Sequence, residues 1–251
     1  TTLFRSGSTM TLEEKKEVIK FSVEVVNKRV PVIAGTGTNN TKASIELSKY
    51  AEEVGADMVL IITPYYNKTS QKGLYAHFSA INDAINIPIM LYNVPSRTGM
   101  NITPLMLDKL ADLNNVVAIK EASGDLSQVA KMAELCGDRI AIYSGNDDQI
   151  VPILSLGGAG VVSVLANILP EETHNICEKY FLGEVIESRN LQLKYLSLAN
   201  SLFIETNPIP VKTAMNLMNF NCGPLRLPLC EMEDSNLVIL EENLKANGLI
   251  K

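Results

Sequence analysis

Short apolar runs recur along this chain every 20 to 29 residues, and this spacing limits the folds that the chain can adopt. The runs lie at residues 30–34, 58–62, 87–91, 116–119, 140–143 and 160–164. They are apolar without alternation, which is typical of parallel strands whose two faces are both buried. A spacing of this size accommodates one strand and one helix, so the pattern predicts an α/β fold with a parallel sheet.

The segments between the runs carry signals for helix ends. Thr11 and Glu14 form a capping-box pattern, and Thr103 precedes a proline in the first helical position. After the sixth run, helical segments are predicted at residues 170–180, 184–202 and 207–218, with a further helical part reaching residue 247. No linker rich in serine and glycine interrupts the chain. We therefore predict one domain over residues 1–251, of which about 170–251 form a C-terminal helical region.

Polar residues follow five of the apolar runs directly. They are Gly35-Thr36-Gly37, the segment from Thr63 to Asn67, Tyr92-Asn93, Lys120-Glu121, and the segment from Ser144 to Asp147. Six strand–helix units suit either a doubly wound sheet or a TIM (β/α)8 barrel without its first two strands. In a barrel all strand ends of one kind meet at one face, where the active sites of such enzymes lie. The position of the polar residues therefore favours the barrel.

Composition excludes several classes of partner. The formal net charge is -6 and the pI is near 5.1, and no run of lysine and arginine is present, so neither nucleic acid nor an anionic membrane is predicted as a partner. No apolar stretch approaches the roughly 18 residues that a membrane span requires. The first ten residues lack the apolar core of a signal peptide. These features predict a cytoplasmic protein.

Nothing in the sequence predicts a metal or cofactor site. The cysteines at 136, 177, 222 and 230 form no CxxC pair, and His77 and His174 are too far apart for a zinc-binding motif. The loop at Gly35-Thr36-Gly37 lacks the third glycine and the lysine of a phosphate-binding loop. We predict no metal and no cofactor, and we interpret both histidines as helix-surface or packing residues.

Lys120 is the most informative single residue. It ends the apolar run Val116-Val117-Ala118-Ile119 and would project from a strand end into the mouth of a barrel. A lysine between apolar walls can have its pKa lowered to about 7 to 8 and can attack a carbonyl to form an imine. The alternative is a solvated lysine in a turn between strand and helix.

The segment from Tyr92 to Gly99 offers two further groups that imine chemistry requires. The hydroxyl of Tyr92 can relay protons, and the guanidinium of Arg97 can bind a carboxylate through two parallel hydrogen bonds. Alternatively, Tyr92 is a core aromatic residue and Arg97 is a surface loop residue. The residues alone leave both interpretations open.

Six segments together resemble the dihydrodipicolinate synthase family, in the order and spacing of that family from about Gly7 to the C-terminus. They are Val32 to Gly37, Thr63 to Asn67, Tyr92 to Gly99, Ile119 to Gly124, Gly160 to Ser163, and Asn207 to Lys212. Each segment alone is weak evidence, whereas six in register are specific.

The resemblance implies a reaction and roles for five residues. Lys120 would form an imine with pyruvate, whose enamine attacks aspartate semialdehyde to give 4-hydroxy-tetrahydrodipicolinate, on the route to diaminopimelate and lysine. Tyr92 would relay protons, and Arg97 would bind the carboxylate of the aldehyde. Tyr66 matches the tyrosine that family members insert into the relay of a neighbouring subunit, and the backbone carbonyl of Val162 would contact the pyruvate moiety. The resemblance also implies a homo-oligomer, a tetramer built as a dimer of dimers.

The N-terminal segment departs from the family. Family members begin earlier, with two strands and a helix, and carry a Gly-Thr-Thr-Gly-Glu motif whose threonine positions fall on Leu3 and Phe4 of this chain. We therefore expect an incomplete barrel that lacks its first two strands. Expected consequences are low activity and a tendency to associate, because the strand edges are unpaired.

Three alternatives to the synthase remain at this level. A related pyruvate aldolase that acts on N-acetylneuraminate or on a 2-keto-3-deoxy sugar acid would keep Lys120 and Tyr92, but such enzymes do not typically have an arginine at the position of Arg97. A non-catalytic barrel would be expected to lose the lysine or the tyrosine. The chain as written could also be an inactive fragment of an active enzyme.

Overall fold

The structure is a computed structural model that describes residues 7–251, and the chain divides into two compact units. The strand unit comprises residues 11–145 and 155–159. The helical unit comprises residues 7–10, 146–154 and 160–251. The segment 1–6, including Leu3 and Phe4, lies outside the described residues.

The strand unit alternates strands and helices. Its strands are β1 (Ile33–Gly35), β2 (Met58–Ile62), β3 (Ile89–Asn93), β4 (Val116–Glu121) and β5 (Ala141–Ser144). Its helices are α1 (Leu12–Val26), α2 (Thr41–Glu53), α3 (Gln71–Asn82), α4 (Pro95–Thr98), α5 (Pro104–Leu110) and α6 (Leu126–Cys136). Strands β1 to β5 lie side by side in chain order, and every neighbouring pair is parallel. The predicted α/β fold with parallel strands is confirmed.

The central strands are buried because their residues are apolar on both faces. Val59, Ile61, Ile89, Leu91 and Ile119 are each fully enclosed. The pairing of β3 with β4 contains one irregularity: Ile89 pairs with Val116, but the next residue, Met90, pairs with Ala118. Such a bulge changes which residues of a strand face each side of the sheet. The residues beyond it, including Lys120, take their facing from the register after the bulge.

The helical unit contains one short strand and six helices. Its elements are α7 (Ile150–Ser155), β6 (Gly160–Val161), α8 (Pro170–Phe181), α9 (Val185–Lys194), α10 (Leu196–Ser201), α11 (Ile209–Leu217) and α12 (Asp234–Ala246), with short 3-10 turns at Asp147–Gln149 and Leu165–Asn167. Its core is apolar and includes Leu165, Leu198, Leu202, Ala214 and Leu240, all buried. Among the helices in residues 7–251, none is both long enough and apolar enough to cross a membrane.

The predicted helix starts are confirmed at two places. The Thr11 hydroxyl accepts a hydrogen bond from the Glu14 backbone N–H at 3.2 Å, and the Glu14 carboxylate accepts one from the Thr11 N–H at 2.9 Å. The Thr103 hydroxyl accepts the Met106 N–H at 3.2 Å, with Pro104 in the first helical position. The capping residues thus satisfy backbone donors that have no partner within the helix.

Several predicted boundaries are wrong; the strand predicted at 160–164, for example, covers only Gly160–Val161. The first strand was predicted from residue 30 but begins at Ile33, and Val30 is 60% exposed. Pro31 has no N–H for the sheet, and the N–H of Val32 donates to the Asp57 side chain. The helix predicted at 184–202 is broken at Tyr195, which is buried in the core of the helical unit. Tertiary packing, which a helical pattern does not encode, places that break.

Candidate active site

Lys120 lies in a row of side chains at the carboxyl ends of β2 to β5. In this row Ile62 pairs with Tyr92, Tyr92 with Lys120, and Lys120 with Tyr143. Side chains at one level of a parallel sheet point to the same face, so the lysine stands between two tyrosines. The register therefore brings Lys120 and Tyr92 together, as the sequence predicted.

The Lys120 side chain is buried against the Tyr92 ring. Lys120 is 5% exposed, and its Nζ lies 4.5 Å from the centroid of the Tyr92 ring. Ala118 and Ile119, the residues before it on the same strand, are apolar and also buried. A lysine that is nearly withdrawn from water and placed beside a phenol is suited to nucleophilic attack on a carbonyl with local proton transfer.

Gly145, directly after β5, leaves the space that the lysine occupies. A Cβ atom at this position would lie 3.0 Å from Lys120 Cε and 2.6 Å from Ala122 Cβ. The Gly145 N–H donates to the Glu121 carbonyl at 2.7 Å, which holds the backbone at this close distance. Glycine is therefore required here for space and not for an unusual backbone angle.

A second polar row lies one residue further along the same strands. Asn93 pairs with Glu121 across β3 and β4, and both side chains are fully buried. Asn93 Nδ2 donates to Glu121 Oε2 at 2.8 Å, and the Ser123 N–H donates to Glu121 Oε1 at 2.6 Å. Burial raises the pKa of Glu121 above its usual range, although the hydrogen bonds from Ser123 and Asn93 act in the opposite direction.

Arg97 lies on the four-residue helix α4, which follows β3 directly. Its residue is exposed, and the turn that carries it is fixed from below by buried threonines. The Thr63 hydroxyl donates to the Thr98 hydroxyl at 3.1 Å, and Thr98 also accepts the Met100 N–H at 3.1 Å. The structure thus puts Arg97 on a rigid turn beside the strand end of Tyr92, and not in the buried row.

Tyr66 points away from its own strand unit. It is 92% exposed and has a φ of 68°, in the left-handed region that an aromatic residue rarely adopts. Two hydrogen bonds fix its loop: Asn39 Nδ2 donates to the Tyr65 carbonyl at 3.1 Å, and Asn67 Nδ2 donates to the Asn39 carbonyl at 3.0 Å. A fixed, strained and almost fully exposed tyrosine is a feature that local folding does not explain.

Val162 follows β6 in the helical unit, and its residue is partly buried. The neighbouring backbone is fixed by Asp147, whose Oδ2 accepts the N–H groups of Val164 at 3.0 Å and Leu165 at 3.1 Å. Val162 therefore belongs to a well-defined segment of that unit.

Neither histidine belongs to a metal site in the part of the chain that the structure describes, where no group of three candidate ligands occurs. His77 is buried on α3 and its Nδ1 lies 2.9 Å from the Thr41 hydroxyl, and burial lowers its pKa. His174 lies on α8 beside Glu178 at 3.7 Å.

The sequence named Lys120 and Tyr92 as candidates, and the structure brings them together, but the sequence did not single out the residues around them. Asn93, Glu121 and Gly145 were noted only as polar or glycine positions after apolar runs. The available signal was their place in the chain. Asn93 and Glu121 directly follow Tyr92 and Lys120, and Gly145 directly follows β5. What the sequence does not contain is the register that pairs Asn93 with Glu121.

Comparison with known proteins adds independent information. Residues 6–247 match the dihydrodipicolinate synthetase family. The chain is 67% identical over 245 residues to 4-hydroxy-tetrahydrodipicolinate synthase 1 of Clostridium acetobutylicum, an alignment that covers 98% of this chain and 84% of the relative. It is 62% identical over 246 residues to the 4-hydroxy-tetrahydrodipicolinate synthase of Clostridium tetani, with 98% and 84% covered.

The solved structures that resemble this chain are described as dihydrodipicolinate synthases. A crystal structure of a dihydrodipicolinate synthase superposes with a TM-score of 0.95 at 50% identity, covering 97% of this chain and 84% of that one. The dihydrodipicolinate synthase of Thermotoga maritima superposes with a TM-score of 0.95 at 41% identity, with 97% and 84% covered.

Proposed function

This chain belongs to the dihydrodipicolinate synthetase family, and from this premise we propose that it condenses pyruvate with aspartate semialdehyde to give 4-hydroxy-tetrahydrodipicolinate. The observation that carries the proposal is the buried Lys120, whose Nζ lies 4.5 Å from the centroid of the Tyr92 ring. The activity is the one named for relatives at 67% and 62% identity. It serves the biosynthesis of diaminopimelate and lysine.

In the proposed mechanism the Lys120 amine attacks C2 of pyruvate. The resulting carbinolamine loses water to form an imine, and loss of a proton from C3 gives an enamine. C3 of the enamine then forms a carbon–carbon bond with the aldehyde carbon of aspartate semialdehyde, whose oxygen takes up a proton. Attack of the amino group of the semialdehyde on C2 closes the ring and releases Lys120.

Tyr92 and Arg97 take separate parts in this scheme. The Tyr92 phenol, adjacent to Lys120 in the register, relays protons during formation and breakdown of the imine. Arg97 binds the carboxylate of the semialdehyde from the rigid turn after β3, where its exposure leaves room for an incoming anion. Proton relay beside a buried amine and binding of an incoming anion at an exposed position thus come from residues that are five positions apart in the chain.

Tyr66 supports an oligomer in which the site is shared. A tyrosine that is 92% exposed on a hydrogen-bonded loop is directed at something outside its own strand unit. We assign its position to the proton relay of a neighbouring copy, in a tetramer built as a dimer of dimers.

The wider architecture is also part of the proposal. The parallel strands would belong to a single-domain TIM barrel whose first two strands this chain lacks. The match covers 84% of the C. acetobutylicum protein, which leaves part of that relative unmatched. In that barrel the Val162 carbonyl contacts the pyruvate moiety. Replacing residues 1–6 with the N-terminal segment of that relative gives a protein that we call the extended protein. We expect it to exceed the unextended chain in turnover and solubility.

The test of function is a coupled synthase assay on the extended protein with pyruvate and aspartate semialdehyde. We expect turnover with this pair and none with N-acetylneuraminate or a 2-keto-3-deoxy sugar acid. Efficient cleavage of either sugar acid, with no condensation of the semialdehyde, would replace the proposal with the related aldolase. Equal turnover and equal light scattering for the chain and the extended protein would contradict the proposed missing strands.

A further inference from the structure

The side chains of Asn93 and Glu121 are hydrogen-bonded to each other, and this hydrogen-bonded pair, which we call the link, follows the pair of Tyr92 and Lys120 on the same strands. The same two strands supply both pairs, at successive levels of the register. Because side chains alternate along a strand, the link lies on the face opposite the lysine. The backbone joins the same points: the Ala122 N–H donates to the Asn93 carbonyl at 2.9 Å.

The hydrogen bonds of this link admit one arrangement. Glu121 accepts through both carboxylate oxygens, one from Asn93 Nδ2 and one from the Ser123 N–H. Asn93 cannot turn its amide around, because its Oδ1 accepts the backbone N–H of Ile102 at 2.9 Å. Position 121 therefore requires a group with two acceptors.

The link continues away from the strands. Asn93 Nδ2 also lies 2.9 Å from Asn101 Oδ1, and Asn101 exchanges hydrogen bonds with Gln128 on α6 at 2.7 and 3.2 Å. The carboxyl ends of β3 and β4 are thus tied to each other and to the helix that follows β4. Burying an acidic group costs free energy unless it is well hydrogen-bonded, and packing alone would be served better by an apolar residue.

We propose that Glu121 is a positioning residue of the synthase reaction. Held between Asn93 and Ser123, its two acceptor oxygens fix the ends of β3 and β4 so that Lys120 and Tyr92 keep the relative position that imine formation needs. This assignment rests on the proposed function, because it concerns the same lysine.

The first variant is Glu121→Gln in the extended protein. Glutamine has the same shape, but its amide has one oxygen that accepts and one nitrogen that donates. It can therefore accept the hydrogen bond from Asn93 Nδ2 or from the Ser123 N–H, but not both. A small misplacement of reacting groups can cost about 10²-fold. We expect kcat, and the rate at which borohydride traps the pyruvate imine, to fall about 10- to 100-fold, with a smaller change in the KM for pyruvate.

The second variant exchanges the partners, Asn93→Asp with Glu121→Gln. The glutamine then donates to the new aspartate and still accepts the Ser123 N–H, while the other aspartate oxygen accepts the Ile102 N–H. Rotation of the Asn101 amide lets its Nδ2 donate to the new aspartate. Rotation of the Gln128 amide then restores both hydrogen bonds between Asn101 and Gln128. We expect the double variant to recover at least several-fold of the trapping rate over either single variant.

Asn115→Asp is the matched control, because Asn115 precedes the same strand at its amino end and donates to the Asn82 and Ile85 carbonyls at 3.0 and 2.8 Å. It should lower the melting temperature without lowering the trapping rate of the folded protein. A Glu121→Gln variant that loses stability but traps at the wild-type rate, or a double variant no better than the singles, would overturn the assignment. Failure of the wild-type protein to form any adduct at Lys120 would instead overturn the proposed function.

Discussion

Strand β4 is anchored by polar side chains at both ends, yet the two anchors differ in kind. At the amino end, Asn115 donates to the Asn82 and Ile85 carbonyls, and the Asn115 N–H donates to Asn82 Oδ1 at 3.0 Å. At the carboxyl end, Glu121 accepts from Asn93 and from Ser123. The first anchor joins a strand to the end of helix α3 and to the residues that follow it, whereas the second joins two strands beside a buried amine.

Under the proposed mechanism, the two ends of this strand would serve stability and chemistry separately. The amide at the amino end satisfies backbone carbonyls, as many loop residues do. The carboxyl end contains a buried acid and a buried lysine, and Gly145 after the neighbouring strand β5 leaves space for that lysine. Substitutions at the carboxyl end should therefore reduce turnover, and substitutions at the amino end should reduce stability.

The largest effect on turnover after loss of the lysine itself is expected for Tyr92→Phe. The ring beside Lys120 remains, but the relay hydroxyl is lost, which typically lowers a rate by about 10²- to 10⁴-fold. The measurement is kcat in the coupled assay on the extended protein. Tyr50→Phe is the control, since Tyr50 also lies beneath a lysine, Lys16, at 5.7 Å, but on a helix. Equal losses in both variants would remove Tyr92 from the mechanism.

Gly145→Ala is expected to reduce turnover by about 10²-fold, because the new methyl group would lie 2.6 Å from Ala122 Cβ and 3.0 Å from Lys120 Cε, so that the strand end that carries the lysine must shift. Steady-state kinetics and circular dichroism together separate this effect from unfolding. Gly7→Ala serves as control, since a Cβ at Gly7 would meet nothing within 4 Å. Wild-type kcat in Gly145→Ala would show that the lysine tolerates displacement.

Arg97→Ala should lower kcat/KM for aspartate semialdehyde by about 10- to 10²-fold, the range typical for hydrogen bonds to a charged group. Formation of the pyruvate imine should change little, because Arg97 lies on α4 outside the buried row. Borohydride trapping with pyruvate alone, set beside the full assay, separates the two steps. Equal losses in both would make Arg97 a structural residue.

Asn115→Asp is expected to have the smallest effect on turnover. The loss of two donated hydrogen bonds should reduce the free energy of unfolding by about 1 to 3 kcal/mol, measured by urea denaturation of the extended protein. If kcat of the folded variant fell as far as in Glu121→Gln, the two ends of β4 would not be functionally distinct.

The sequence predicted what depends on composition and chain order. Apolar runs without alternation predicted the parallel strands, which the structure confirms. The polar residues after them made Lys120, Tyr92 and Arg97 candidates, and the family resemblance assigned their roles, which stay predictions. It could not predict features that depend on register. The shift between Ile89 and Met90 sets which residues of β3 and β4 face each other, and no local pattern specifies it.

The supports of the site escaped prediction for the same reason. In the sequence, a glutamate directly after a lysine suggests two solvated side chains. The structure shows instead that Glu121 is buried and stands opposite Asn93. Likewise, the loop that carries Tyr66 has a left-handed backbone at this residue and is hydrogen-bonded by Asn39, which is distant in the chain. The start of β1 at Ile33 was missed, although Pro31 could have indicated it.

The central claim is that the buried lysine of β4 is the nucleophile, and borohydride reduction in the presence of pyruvate tests it most directly. The extended protein would be incubated with pyruvate, reduced, digested and mapped by mass spectrometry, with Lys120→Ala and a pyruvate-free sample as controls. The account predicts one stoichiometric adduct, on the peptide containing Lys120, and none in either control. An adduct on any other lysine, or wild-type turnover in Lys120→Ala, would contradict it.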